Sequence, residues 1–153
     1  MDKDNAGVIA PPPAIYLIAI LIGVMIDYFF PFSFMPENFQ LPLGLLIILL
    51  AAILMALGIR EFKKAETNVS PNKPVTAVIT SGPFRYTRNP LYVSLSFVLI
   101  GIGIWLDNIW IITMLVPVLI LIHYGVVKRE EQYLTKKFEE KYLIYRGSVP
   151  RWF

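Results

Sequence analysis

Apolar and polar positions in this chain are segregated into blocks. Four runs, Ala14 to Phe30, Leu41 to Ile59, Leu91 to Leu106 and Ile109 to Val127, are nearly free of charge. A membrane-spanning helix needs about 20 mainly apolar residues, with a lower limit of roughly 17. The second and fourth runs qualify directly, the first sits at the limit, and the third is short unless it begins at Asn89 or Pro90. Leu41 to Ile59 has no polar face, so it cannot be the surface helix of a soluble bundle. After the fourth run the pattern changes. Val127, Glu131, Leu134, Phe138, Tyr142 and Tyr145 recur at spacings of three and four, which predicts an amphipathic helix with one face against the protein. The expected fold is all-α and integral to the membrane. It has four transmembrane helices, a cytoplasmic loop segment from Arg60 to Asn89 and a C-terminal amphipathic helix.

Composition sharpens this picture. At 153 residues and 56 % hydrophobic, the chain is a single membrane domain and too apolar for an ordinary soluble one. With no cysteine, thiolate nucleophiles, disulfides and Cys-ligated metals are excluded, and a single histidine excludes a His-rich metal site. The leader MDKDNAGVIAPPP has one basic residue and no small-residue cleavage pattern follows the first run, so that run is expected to be retained.

Charge orients the spans. Of fourteen Lys and Arg residues, six lie from Arg60 to Arg88 and seven follow the fourth run, whereas Pro31 to Gln40 and Asp107-Asn108 have none. By the positive-inside rule both termini and the central segment are cytoplasmic in a multi-pass protein of the inner or plasma membrane. Trp105 and Trp110 flank the outer turn as an aromatic belt. Gly101 and Gly103, inside a membrane helix, are expected to permit close helix packing.

The candidate chemistry lies at the cytoplasmic boundary. The central segment is rich in turn formers, and its PVTAVIT stretch should pack against the protein. Asn89-Pro90 reads as a helix start, with Asn as the cap, and its free N–H groups beside Arg85 and Arg88 suit an anion. The same arginines serve equally as anchors for lipid phosphates. Glu130 and Glu131 head the amphipathic stripe. His123 precedes Glu130 by seven residues, placing the two on nearly one helix face about 10 Å apart. Inward acids at a membrane boundary need partners. A ligand supplies them on one reading; Arg60, Arg85 or Arg88 supply them on the other.

Arg88-Asn89-Pro90 with Tyr92, the acidic pair Glu130-Glu131 within KREEQYL, and the trailing FEEKYLIYRGSVPRW together resemble the isoprenylcysteine carboxyl methyltransferase and phospholipid methyltransferase group of integral membrane enzymes. The resemblance runs from about Arg60 to the C-terminus, dividing the chain into an N-terminal helical pair (1–59) and a methyltransferase-like core (60–153). It departs at Asn89, where many members have a histidine; asparagine cannot titrate near neutral pH.

The resemblance implies S-adenosyl-L-methionine as cofactor, with Arg88, Asn89 and Tyr92 as catalytic residues. It implies Arg85, Pro90, His123, Glu130 and Glu131 as cofactor-binding residues, with no metal. The expected acceptor is a lipophilic small molecule or lipid, foremost a prenylcysteine-type carboxylate. Membrane lipids are expected as the only other partners, with no nucleic acid and no obligate protein partner. The alternative is a small transporter or anionic-lipid-binding protein without enzymatic activity. A membrane reductase would need more spans than this length provides.

The site requires residues 60–89 and Glu130 to share a compartment. Asn38→Cys, Asn68→Cys and Ser148→Cys in this cysteine-free chain test that with an impermeant thiol reagent on intact cells. Only Asn38→Cys is expected to label. Labelling of one of the other two without its counterpart would dismantle the site.

Overall fold

The computed structural model describes residues 4–152, and among them it is all-helical, with no strand. α1 (Pro12–Phe29) starts in a triple proline, where a missing N–H costs nothing. α2 (Glu37–Lys64) starts after Pro36 and extends past its apolar run at both ends. Glu37 in its first turn and Lys63 and Lys64 in its last complement the helix dipole. α3 (Pro90–Trp105) is followed by α4 (Ile109–Thr113), α5 (Leu115–Ile122), a π-helical turn over His123–Val127, and α6 (Lys128–Ser148). α6 carries one non-helical residue, Glu139, at φ 43°.

Three helical stretches are long and apolar enough to cross a membrane: Pro12–Phe29, Glu37–Lys64 and the continuous Ile109–Ser148. α3 is apolar but only 16 residues long. α3, the third of the four expected crossings, thus falls short of the spanning length. The fourth run also departs from a single regular helix. Pro117 offers no N–H to the carbonyl of Thr113, and the helix breaks at Met114, within that turn. Leu21 on α1 and Leu49 on α2 are 59 % and 58 % exposed, an outer surface made for lipid rather than water.

Two cores divide the molecule. Ile15, Tyr16 and Ala19 of α1 pack with Leu99 of α3 and with Ile111, Val118 and Ile122 of α4 and α5. In the second core, Ile79 and Phe84 of the central segment pack on Tyr142, Tyr145 and Val149. The lower part of the stripe, Leu134 to Tyr145, thus meets the central segment and Phe62 of α2, while Val127 belongs to the first core. At the opposite end of the bundle, Asp107 accepts from the Ser33 hydroxyl and from the backbone N–H groups of Phe34 and Met35 (3.1 and 3.0 Å), tying the α1–α2 and α3–α4 connections together.

α2 and α3 form the most extensive helix pair. Gly44 and Gly101 let them approach. A Cβ on Gly101 would lie 2.7 Å from Ile48 Cγ1 and 3.0 Å from the Gly44 carbonyl oxygen. The glycines are packing residues, as the sequence implies. Gly101→Val overpacks this contact, costing about 1–3 kcal/mol. The thermal midpoint in detergent should fall by roughly 3–10 °C, and an unchanged midpoint would refute the close contact.

Candidate functional site

The site assembles where the central segment, the start of α3, the start of α6 and the C-terminal tail meet. Gly82–Arg85 forms a 3-10 turn that buries Phe84, and the Tyr145 hydroxyl donates to the Phe84 carbonyl at 2.8 Å. The next residues are stitched to the tail. Arg88 N donates to the Pro150 carbonyl (3.0 Å), while the Thr87 hydroxyl and the Asn89 amide both donate to the Arg151 carbonyl (3.0 and 2.9 Å).

The Asn89 side chain makes no capping bond to α3, contrary to expectation. The tail competes for the amide and takes it. Pro90 occupies the first helical position as expected, and the Asn89 backbone carbonyl accepts from Tyr92 and Val93 N–H (both 3.1 Å).

The two acids have different partners. Glu131 is buried and receives Arg151 through both oxygens, Nε to Oε1 at 2.9 Å and Nη2 to Oε2 at 2.8 Å. Arg88 Nη1 also lies 2.9 Å from Glu131 Oε1, an ion-pair distance, yet its N–H bonds are not aimed there. Neither Nη1 nor Nε of Arg88 makes a hydrogen bond, although the side chain is 9 % exposed. Glu130 instead accepts from the Tyr92 hydroxyl at 2.6 Å. Both acids lie beyond the apolar run that ends at Val127. Burial pushes the Glu130 carboxyl up to about 7, the Tyr92 hydrogen bond opposing it and the neighbouring Glu131 charge adding to it. For Glu131 burial acts in the same direction, but the Arg151 hydrogen bonds and the Arg88 and Arg151 charges outweigh it and hold the group below the usual carboxylate range.

Arg88, Asn89, Pro90, Tyr92, Glu130 and Glu131 line one cavity. Its opposite wall is apolar and includes Val75, Val78 and Ile79 of the PVTAVIT stretch. Its rim carries an N-terminal strap. Ala6 lines the cavity and bonds the Pro71 carbonyl (3.1 Å), Arg129 reaches the Gly7 carbonyl (2.7 Å), and Asp4 pairs with Lys137 (2.6 Å).

Two expected residues fall outside this cavity. Arg85 is exposed, because the 3-10 turn directs Phe84 inward and leaves its neighbour in solvent. His123 lines a separate apolar groove between α3 and α5, together with Phe97, Ile120 and Trp152. The π turn inserts one residue between His123 and Glu130, rotating the two faces apart by roughly 100°. Arg151 was not among the residues expected from sequence. Its only sequence signal is its place in the tail, where an isolated basic residue reads as a surface charge.

Residues 39–141 match the family model for phospholipid methyltransferases. The chain belongs to that family. No curated protein matches the chain. The matched region contains the start of α3 and both acids, in agreement with the resemblance carried by the Arg88 to Tyr92 and Glu130-Glu131 motifs, and it stops before Tyr142 and the tail. Family membership implies methyltransferase activity and a membrane protein.

Removing the charge of Glu131 leaves two guanidinium groups without their counter-ion. Glu131→Gln is expected to cost about 3–5 kcal/mol of stability. Glu130→Gln, which retains a partner for Tyr92, should cost far less. Because the Glu131 carboxyl titrates below its ordinary range, its contribution is present at neutral pH and is lost as pH falls through that depressed titration. Thermal melts of both variants at neutral and acid pH check the contrast.

Proposed function

We propose that this protein transfers a methyl group from S-adenosyl-L-methionine to a lipophilic acceptor at the cytoplasmic membrane interface. The observation that carries the reading is Arg88, a buried guanidinium with Nε and Nη1 lacking hydrogen bonds, on the wall of a cavity whose other face is apolar. Buried donors without partners call for an anion, and the carboxylate of the cofactor's methionine moiety suits the planar fork of arginine.

The fit extends to the rest of the cavity. Glu130 offers an acceptor oxygen for a ribose hydroxyl or the ammonium, and Pro90 with the apolar wall excludes water around the reacting atoms. The cofactor, when bound, supplies a methyl group already activated by a sulfonium. The protein therefore contributes alignment more than strong acid–base catalysis. Arg88, Asn89 and Tyr92 would fix the geometry at the mouth of α3.

Two acceptor chemistries are open to this cavity. A prenylcysteine-type carboxylate is the reading from sequence; it is ionised at neutral pH and needs no base. An amine lipid is favoured by a specific observation, the Tyr92–Glu130 hydrogen bond at 2.6 Å. This carboxyl, pushed up to about 7, is suited to remove an ammonium proton. In either case the apolar groove between α3 and α5 offers space for a chain, and the cytoplasmic side supplies the cofactor.

Calorimetry on folded, detergent-purified protein should detect saturable S-adenosylhomocysteine binding, and its absence would overturn the reading. Labelled methyl transfer into prenylcysteines and into amine lipids separates the acceptors. With an amine acceptor the rate should rise as pH passes through about 7 and Glu130 ionises, and Glu130→Gln should remove that rise. With a carboxylate acceptor and saturating cofactor, which removes any effect of Glu130 on cofactor binding, the profile should stay flat from pH 6 to 8.

A further inference from the structure

The C-terminal tail lies outside the region that matches the family, yet it supplies the best-formed ion pair at the cavity. Two guanidinium groups, from Arg88 and Arg151, converge on the one carboxylate of Glu131. Their arrangement is unequal. Arg151 holds both oxygens in a fork-to-fork pair, whereas Arg88 has only proximity to Oε1. Glu130 does not relieve Arg88, since its recorded partner is Tyr92.

We propose that Arg151 is a positioning residue that keeps Arg88 free to bind the cofactor's carboxylate. This rests on the cofactor reading above. A guanidinium beside a carboxylate with two open oxygens has its best geometry in a bidentate pair. Arg88 Nη1 already lies 2.9 Å from Oε1 without being aimed at it, and Nε makes no hydrogen bond. By gripping Glu131 through both oxygens, Arg151 fixes the carboxylate in the orientation that leaves those two donors unspent. Without Arg151 the carboxylate can turn, and Arg88 can complete a bidentate pair with it.

The tail backbone sets up this arrangement. Arg151 is presented by a carbonyl clamped between Thr87 and Asn89, and Pro150 is fixed by the backbone N–H of Arg88 itself. Residues on both sides of Arg88 thus hold in place the arginine that keeps it free. Arg151 does not line the cavity, so its effect must pass through Glu131 and Arg88.

The test compares two probes by calorimetry. S-adenosylhomocysteine carries the amino-acid carboxylate, and 5′-methylthioadenosine keeps the nucleoside and sulfur but lacks the amino acid. Arg151→Gln should weaken S-adenosylhomocysteine binding at least tenfold and leave 5′-methylthioadenosine within twofold. Arg151→Lys, which can hold one oxygen of Glu131, should fall between wild type and Arg151→Gln; it carries the same comparison if the glutamine variant does not fold. In an Arg88→Gln background, adding Arg151→Gln should cost no further affinity, because the group it protects is already gone. Equal weakening of both probes, or additive losses in the double variant, would show that the tail only supports the fold and would overturn the proposal. If folded wild-type protein binds no S-adenosylhomocysteine, the cofactor reading itself fails, a result distinguishable from either of those.

Discussion

A single carboxylate, that of Glu131, ties the start of α3, the start of α6 and the C-terminal tail to one point. It lies just past the last apolar run and receives arginines from the start of α3 and from the C-terminal tail. An ion cluster at this depth is expensive to desolvate and is stable only when its geometry is nearly complete. That requirement makes the arrangement specific. Any shift of α6, α3 or the tail relative to the others would leave a buried charge unmatched, whereas the greasy surfaces of α1 and α2 tolerate sliding. The membrane bundle supplies cohesion, and the charged cluster supplies register.

The adjacent acids show how one residue step separates two tasks. Glu131 is surrounded by positive charge and stays ionised, so it behaves as a fixed counter-ion. Glu130 has a neutral phenol for a partner and an apolar surround, and its proton is mobile near neutral pH. Neighbouring groups with divergent titration are a common mark of a working site. Here the divergence follows from helix geometry, because successive residues on α6 point about 100° apart.

Much of this was readable beforehand, and the failures have physical causes. Spacings of three and four in the sequence pointed to the inward residues Leu134, Phe138, Tyr142 and Tyr145, which do pack together; they could not show that Val127 lies in the π turn or that Glu139 interrupts the helix. The convergence of Arg88, Tyr92 and the acidic pair on one cavity followed from motif order. The π turn was not legible, since one inserted residue leaves no trace in composition, and it alone removes His123 from the cavity. Asn89 does hold the N-cap position of α3, but its side chain does not cap, because cap propensity is local while the amide's actual partner lies 62 residues away in the tail. Arg151 escaped notice for the same reason: a long-range ion pair has no period.

α3 is too short to match a bilayer by itself. Its 16 residues rise about 24 Å, against roughly 30 Å of hydrocarbon. At one end it runs into the turn where Asp107 accepts from the N–H groups of Phe34 and Met35; at the other it begins at Pro90, directly after the tail-bound Thr87, Arg88 and Asn89. A helix of that length is matched to hydrocarbon only through its flanking residues or by a local thinning of the bilayer. The residues that would make up the difference at Pro90 are the same ones that build the cavity wall.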